Sequence, residues 1–124
     1  MKAEKILEQS GTVHSKAMDI AHFAFRAQKR NEPEKAKKLF SEAYDLEAKA
    51  ALLLANDFSL EPTRSIFFRS AAWLAYHAER YREAERMAAF GLSGTPPNNM
   101  GIELREIMEL TISKLNKIYL AEAA

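Results

Sequence analysis

Apolar positions recur along this chain at spacings of three, four and seven, the period of a helix, and nowhere in the alternation of a strand. From about Lys2 to Arg30, the residues Ile6, Val13, Ala17, Ile20, Ala24 and Ala27 fall on one helical face. Ser10 and Gly11 interrupt that stripe. A glycine costs about 1 kcal/mol inside a helix, so one long helix with a weak point at Gly11 is expected. Asn31-Glu32-Pro33 ends it, because the residue before a proline is driven out of the α region. Pro33 then suits the first turn of a second helix reaching about Asn56. In that helix Ala36, Leu39, Phe40, Ala43, Leu46, Glu47, Ala50, Leu53 and Leu54 keep the period. Its part AKAALLLA is apolar nearly all round and should be covered on several sides.

A third helix is predicted from about Leu60 to His77, with Ser59 as its cap and Glu61 and Pro62 in its first turn. It contains IFFRSAAWLAYHA, apolar on most faces, which belongs in the middle of a bundle or beneath a bound partner. The fourth helix, about Arg82 to Leu92, turns Ala84, Met87, Ala88, Gly91 and Leu92 inward and keeps Arg82, Glu83, Glu85 and Arg86 in water. Ser93-Gly94-Thr95-Pro96-Pro97 reads as a stop and a start. Gly94 would supply a left-handed C-terminal cap and Thr95 would cap the last helix, with Pro96 in its first position. That helix, 97–121, is expected to bury Leu104, Ile107, Met108, Thr111, Leu115 and Ile118. The predicted fold class is all-α: an antiparallel stack of helix hairpins, about five helices in one domain spanning 1–124.

Composition narrows the chemistry more than the fold. The 124 residues include 18 basic and 17 acidic side chains, a net charge of +1 that supplies little long-range pull on nucleic acid or an anionic membrane. Cysteine is absent, which removes disulfides, thiolate nucleophiles and cysteine-held metals. No apolar run approaches the ~20 residues of a membrane span, and the first residues do not read as a signal peptide. A cytoplasmic protein is therefore expected, with no cofactor.

Two helix pairs superimpose at an offset of 48 residues. Ile20, Phe23-Ala24, Ala27, the turn Asn31–Ala36, Phe40 and Ala43 align with Phe68, Ala71-Ala72, Ala75, the turn Glu79–Ala84, Ala88 and Gly91, and Pro96 closes the second pair. This pattern resembles the tetratricopeptide repeat, in which small residues sit where helices cross, a polar turn precedes a Glu-x-Ala start, and a proline ends the unit. The resemblance covers about Met18 to Pro97, with 18–44 as the first repeat core, 60–97 as the second repeat and 97–121 as a capping helix. Alanines replace the repeat's glycine at 24 and 72, its tyrosine at 27 and 75 and its phenylalanine at 88. The first unit lacks the closing proline, and the period exceeds the usual ~34 residues. The stretch EPTRSIFFRSAAWLA…YREAERMAAFGLSGTPP also resembles small bacterial helical proteins, a likeness that speaks to fold and brings no chemistry.

In tetratricopeptide domains the first helices of the pairs line a concave groove. The resemblance places Met18, Ala21, Phe25, Gln28 and Lys29 there from the first unit, and Ile66, Arg69, Trp73, Tyr76 and His77 from the second. Independently, Arg69, Trp73 and His77 are spaced by four on one helical face and are of types common in binding hot spots. The competing reading makes Trp73 and Tyr76 core and pairs Arg69 with a carboxylate. Thr63, Arg64 and Ser65 open a helix and could hold an anion; the plainer reading is capping with an Arg64–Glu61 pair. The basic run from Arg26 to Lys38 is offset by Glu32 and Glu34 and reads first as a solvated turn. His14, Asp19 and His22 lack the spacing of a zinc site. The expected function is a non-enzymatic module that binds a peptide or helix of another protein. A homo-oligomeric structural protein, most simply a homodimer, is the alternative. A small helical ribonuclease using Arg69 and His77 ranks last.

Overall fold

The computed structural model describes residues 2–124, which form five α-helices and one short 3-10 turn, with no strand among them. Helix α1 spans Lys2–Lys29, α2 Pro33–Leu53, α3 Thr63–His77, α4 Tyr81–Leu92 and α5 Asn98–Ala123, and the turn Phe58–Leu60 lies between α2 and α3. Packing follows chain order: α1 on α2, α2 on α3, α3 on α4 and α4 on α5, with α3 also touching α5. Two antiparallel hairpins are thus stacked, and α5 closes one end. No helix is long and apolar enough to cross a membrane.

The helices meet through alanine. Ala17, Ala24, Ala43, Ala50, Ala51, Ala71, Ala72, Ala75, Ala84 and Ala88 are fully buried, and such small side chains let helix axes approach. Phe40, Phe68, Leu54, Leu104 and Ile107 fill the larger spaces. Gly11 leaves α1 unbroken, with open space beside it.

The two hairpin turns are the same turn. Asn31 and Glu79, 48 residues apart, carry φ of 58° and 61°. In each, the next residue's N–H reaches back to a carbonyl five residues earlier, Glu32 to Ala27 at 3.0 Å and Arg80 to Ala75 at 2.8 Å. The left-handed residue itself donates to Gln28 or Tyr76, at 3.1 and 3.0 Å. This pattern of two back-reaching bonds closes a helix C-terminus and turns the chain sharply. The internal repeat is therefore one of backbone geometry as well as of residue type. The hairpins are tied across the stack by Arg80, which reaches Asp45 at 2.7 Å and the Ser41 hydroxyl at 3.0 Å, and by Lys37–Glu79 at 2.8 Å.

Three expected features differ. Ser59 does not cap α3: Asp57 accepts from the Ser59 N–H to form the 3-10 turn, and α3 begins at Thr63. Its N-terminus is satisfied by Glu61, whose carboxylate accepts from the Ser65 N–H at 2.8 Å. Gly94 does not adopt a left-handed conformation, and Thr95 does not cap α5, which starts at Asn98; the Thr95 N–H donates to Glu61 instead, at 3.0 Å. Ile118 is 44% exposed and Leu115 only half-buried. The inward stripe of α5 is read correctly through Thr111, but α4 has only 12 residues and runs out before it can cover the rest.

Gly94 is glycine for want of space. A Cβ there would lie 2.3 Å from the Arg64 guanidinium and 2.9 Å from the Glu61 carboxylate. Gly94→Ala is expected to destabilise the fold by about 1–2 kcal/mol through overpacking. Urea unfolding reads this directly; an alanine variant as stable as the parent would show that Arg64 can yield.

Candidate functional site

Helices α1 and α3 are not packed tightly against each other along the Phe25–Trp73 side, and the gap between them is a groove of about 420 Å³. Met18, Ala21 and Phe25 form one wall, and Arg69, Ser70, Trp73, Leu74 and His77 the other. Phe25 and Trp73 occupy equivalent positions in the two hairpins, 48 residues apart, so the groove is built by the repeat itself.

The aromatic side chains brace one another. His77 stacks on Phe40 at 4.9 Å between ring centroids and meets Phe25 edge-on at 5.5 Å. Trp73 lies face to face with His77 at 5.9 Å and edge-on to Tyr76 at 5.8 Å. Trp73 is half-buried, neither sealed in the core nor standing free. Phe25 is 41% exposed. Burial holds the His77 imidazole below its ordinary pKa, so this ring is neutral at neutral pH and adds an uncharged surface to the groove. Arg69 reaches across to α5 and pairs with Glu103 at 2.9 Å. The groove wall therefore carries an arginine neutralised by a carboxylate through Nη1, one nitrogen of a guanidinium with five N–H donors.

A second cavity of about 460 Å³ adjoins the first at His77, lined by Gln28, Asn31, Pro33, Glu34, Lys37 and Glu79. The sequence-derived positions thus divide. Met18, Ala21, Phe25, Arg69, Trp73 and His77 meet in the groove. Gln28 lines the neighbouring cavity. Tyr76 is half-buried behind Trp73, edge-on to Tyr81 at 5.6 Å. Lys29 is exposed and lines neither cavity. Ser70 and Leu74 complete the groove wall and were not picked out by sequence, although Ser70 adjoins Arg69.

Arg64 requires correction. It is 1% exposed and cannot meet a partner at the surface. Its Nε donates to the Ala55 carbonyl at 2.9 Å and its Nη2 to the Phe90 carbonyl at 2.8 Å, while Nη1 lies 3.7 Å from the Glu61 carboxylate. The guanidinium also sits about 5 Å from the Phe58 and Phe68 rings. With Glu61 occupied by Ser65 and Thr95, the start of α3 is filled by the protein's own groups.

One buried polar cluster escaped the sequence reading. Glu47 of α2 is completely buried, and His14 of α1 places Nδ1 within 2.8–2.9 Å of both its oxygens. His14 in turn stacks flat on Phe67 of α3, with centroids 4.3 Å apart. Burial pushes the Glu47 carboxyl up to about 6 against the pull of His14, Ser70 and Arg69. The available signal was a carboxylate in the middle of an apolar stripe, which needs a partner somewhere in the fold. Among the described residues no group of three or more His, Cys, Asp or Glu side chains could hold a metal ion.

Arg69 and His77 are eight residues apart on α3, about 12 Å along its axis, and Arg69 is engaged with Glu103. No family model matches the chain, and neither the curated proteins nor the solved structures contain a match.

Proposed function

We propose that this protein is a non-catalytic interaction module of tetratricopeptide-like architecture. It receives an apolar stretch of another protein, as a helix or an extended peptide, in the groove between α1 and α3. The observation that carries this reading is the groove itself: about 420 Å³ walled by Met18, Phe25, Trp73, Leu74 and His77, with the aromatic pair Phe25 and Trp73 repeated from hairpin to hairpin. A rigid, partly exposed aromatic wall with one polar anchor is the kind of surface on which binding energy concentrates. The braced rings lose little freedom when a ligand arrives. Arg69 keeps donors for a carbonyl or carboxylate of the ligand, which would fix its direction in the groove.

A random 12-residue peptide display library selected on the intact protein tests this. Selected peptides are expected to share apolar residues three or four apart and to lose roughly tenfold or more in affinity against Trp73→Ala, with helical content unchanged by circular dichroism. Binders indifferent to Trp73→Ala, or no binders at all, overturn the groove assignment.

A further inference from the structure

The two hairpins differ on one face, visible by comparing them residue by residue. Phe67, Ala71, Leu74 and Ala78 form a stripe on α3 that is at most 7% exposed, in the helix on which the first hairpin packs through α2. Forty-eight residues earlier the same stripe of α1 reads Asp19, Phe23, Arg26 and Arg30, and all four are exposed, Phe23 by 55%. Nothing among the described residues covers this face of α1, so a surface that is buried on α3 is open on α1. It is not simply a polar cap. A phenylalanine stands at its centre, and a cavity of about 170 Å³ lies beside it between Phe23, Arg26, Ala27, Arg30, Glu32 and Lys35. Neither Arg26 nor Arg30 forms an ion pair with a carboxylate among the described residues, Glu32 pairing with Lys35.

The opposite end of the stack carries the complementary pattern. On α5 the residues Glu106, Leu110, Ser113 and Lys117 share a stripe turned away from the buried Leu104, Ile107 and Thr111, and all four are exposed, Leu110 by 45%. Glu106 and its neighbour Glu109 have no cationic partner among the described residues. Both stripes step by four, three and four residues when one is read forward and the other backward. Laid antiparallel, Asp19 faces Lys117, Phe23 faces the small Ser113 beside Leu110, Arg26 faces Leu110 and Glu109, and Arg30 faces Glu106. Parallel alignment would bring Asp19 against Glu106 and Arg30 against Lys117.

We propose that this protein self-associates head to tail, with α5 of one copy lying antiparallel on the open α1 face of the next. The contact continues the hairpin stack from molecule to molecule. It joins two different surfaces, so it does not stop at a dimer, and it leaves the α1/α3 groove uncovered. The charge pairs set orientation and register, and Phe23 and Leu110, at successive steps of the seam, supply apolar area.

Sedimentation equilibrium tests this with charge reversals at exposed positions. At low salt the wild-type mass is expected to rise with concentration past that of a dimer and to fall back toward the monomer at high salt. Arg26→Glu/Arg30→Glu and Glu106→Arg/Glu109→Arg are each expected to weaken association roughly tenfold or more, while an equimolar mixture of the two variants associates again. A monomer at all concentrations overturns the proposal, as does a plateau at dimer mass. So does a mixture that stays monomeric. Loss of association on reversing the glutamates, with none on reversing the arginines, would also overturn it, indicating a symmetric pairing of two α5 helices.

Discussion

Arg64→Ala is expected to lower the free energy of unfolding by about 3–5 kcal/mol, the cost of breaking a buried charged network from one side. The side chain is 1% exposed and joins four parts of the chain: the end of α2 through the Ala55 carbonyl, the Phe58 ring in the 3-10 turn, the Glu61 carboxylate before α3, and the Phe90 carbonyl of α4. Removing it leaves the Ala55 carbonyl without a side-chain donor and the Phe90 carbonyl with the Ser93 hydroxyl alone, where a buried carbonyl left without a donor costs about 1–3 kcal/mol, and strips Glu61 of its cation. Arg64→Lys keeps the charge but has no fork to reach both carbonyls, so it is expected to recover less than half of the loss. Thermal unfolding should show the alanine variant melting roughly 10 °C or more below the parent. An alanine variant within ~1 kcal/mol of the parent would mean that the guanidinium is no more than a surface ion pair, contrary to its burial.

Arg64 also shows where sequence reading stops. The helices and most of their inward stripes were legible because helical period is a property of neighbouring residues, as was the shared face of Arg69, Trp73 and His77; Phe25 was reached through the resemblance to the tetratricopeptide repeat. The Arg64–Glu61 pair was legible for the same reason, being three apart. The carbonyls of Ala55 and Phe90 were not, since no pattern marks which backbone oxygen a long side chain will meet after folding. The same limit explains His14 and Glu47, which lie 33 residues apart and meet only once α1 and α2 pack. Gly94 and Thr95 were misread because their sequence allows a glycine cap, while the fold uses the space for Arg64 and the Thr95 N–H for Glu61. Leu115 and Ile118 were misread because periodicity assigns a face to a helix but does not say how far the covering helix extends.

The His14–Glu47 pair is expected to give stability an unusual slope with pH. Glu47 ionises near 6 in the folded protein and near 4.5 when exposed. Below pH 4.5 both states hold the proton, and the group contributes no difference. Between about 4.5 and 6 the unfolded chain releases its proton while the fold retains it, so stability falls as pH rises. Above 6 the buried carboxylate is ionised in both states, at a standing cost of about 2 kcal/mol. Glu47→Gln removes that titration. Relative to wild type, the variant is expected to gain stability between pH 4.5 and 7, and urea unfolding across that range measures the gain. His14→Ala acts in the opposite sense. It takes away the hydrogen bond and charge that hold the carboxyl down, leaving burial opposed by Ser70 and Arg69 alone, so the Glu47 titration moves above 6. It also removes the ring stacked on Phe67, and a loss of roughly 2 kcal/mol at neutral pH is expected. A carboxyl carbon resonance for Glu47 that titrates at its ordinary value in wild type, or that moves down in His14→Ala, would contradict burial as the cause. With the carboxylate held between α1, α2 and α3, its protonation state and the seating of α1 against α3 are linked. The wall of the groove that Met18, Ala21 and Phe25 provide is anchored by a pair that sequence alone did not connect.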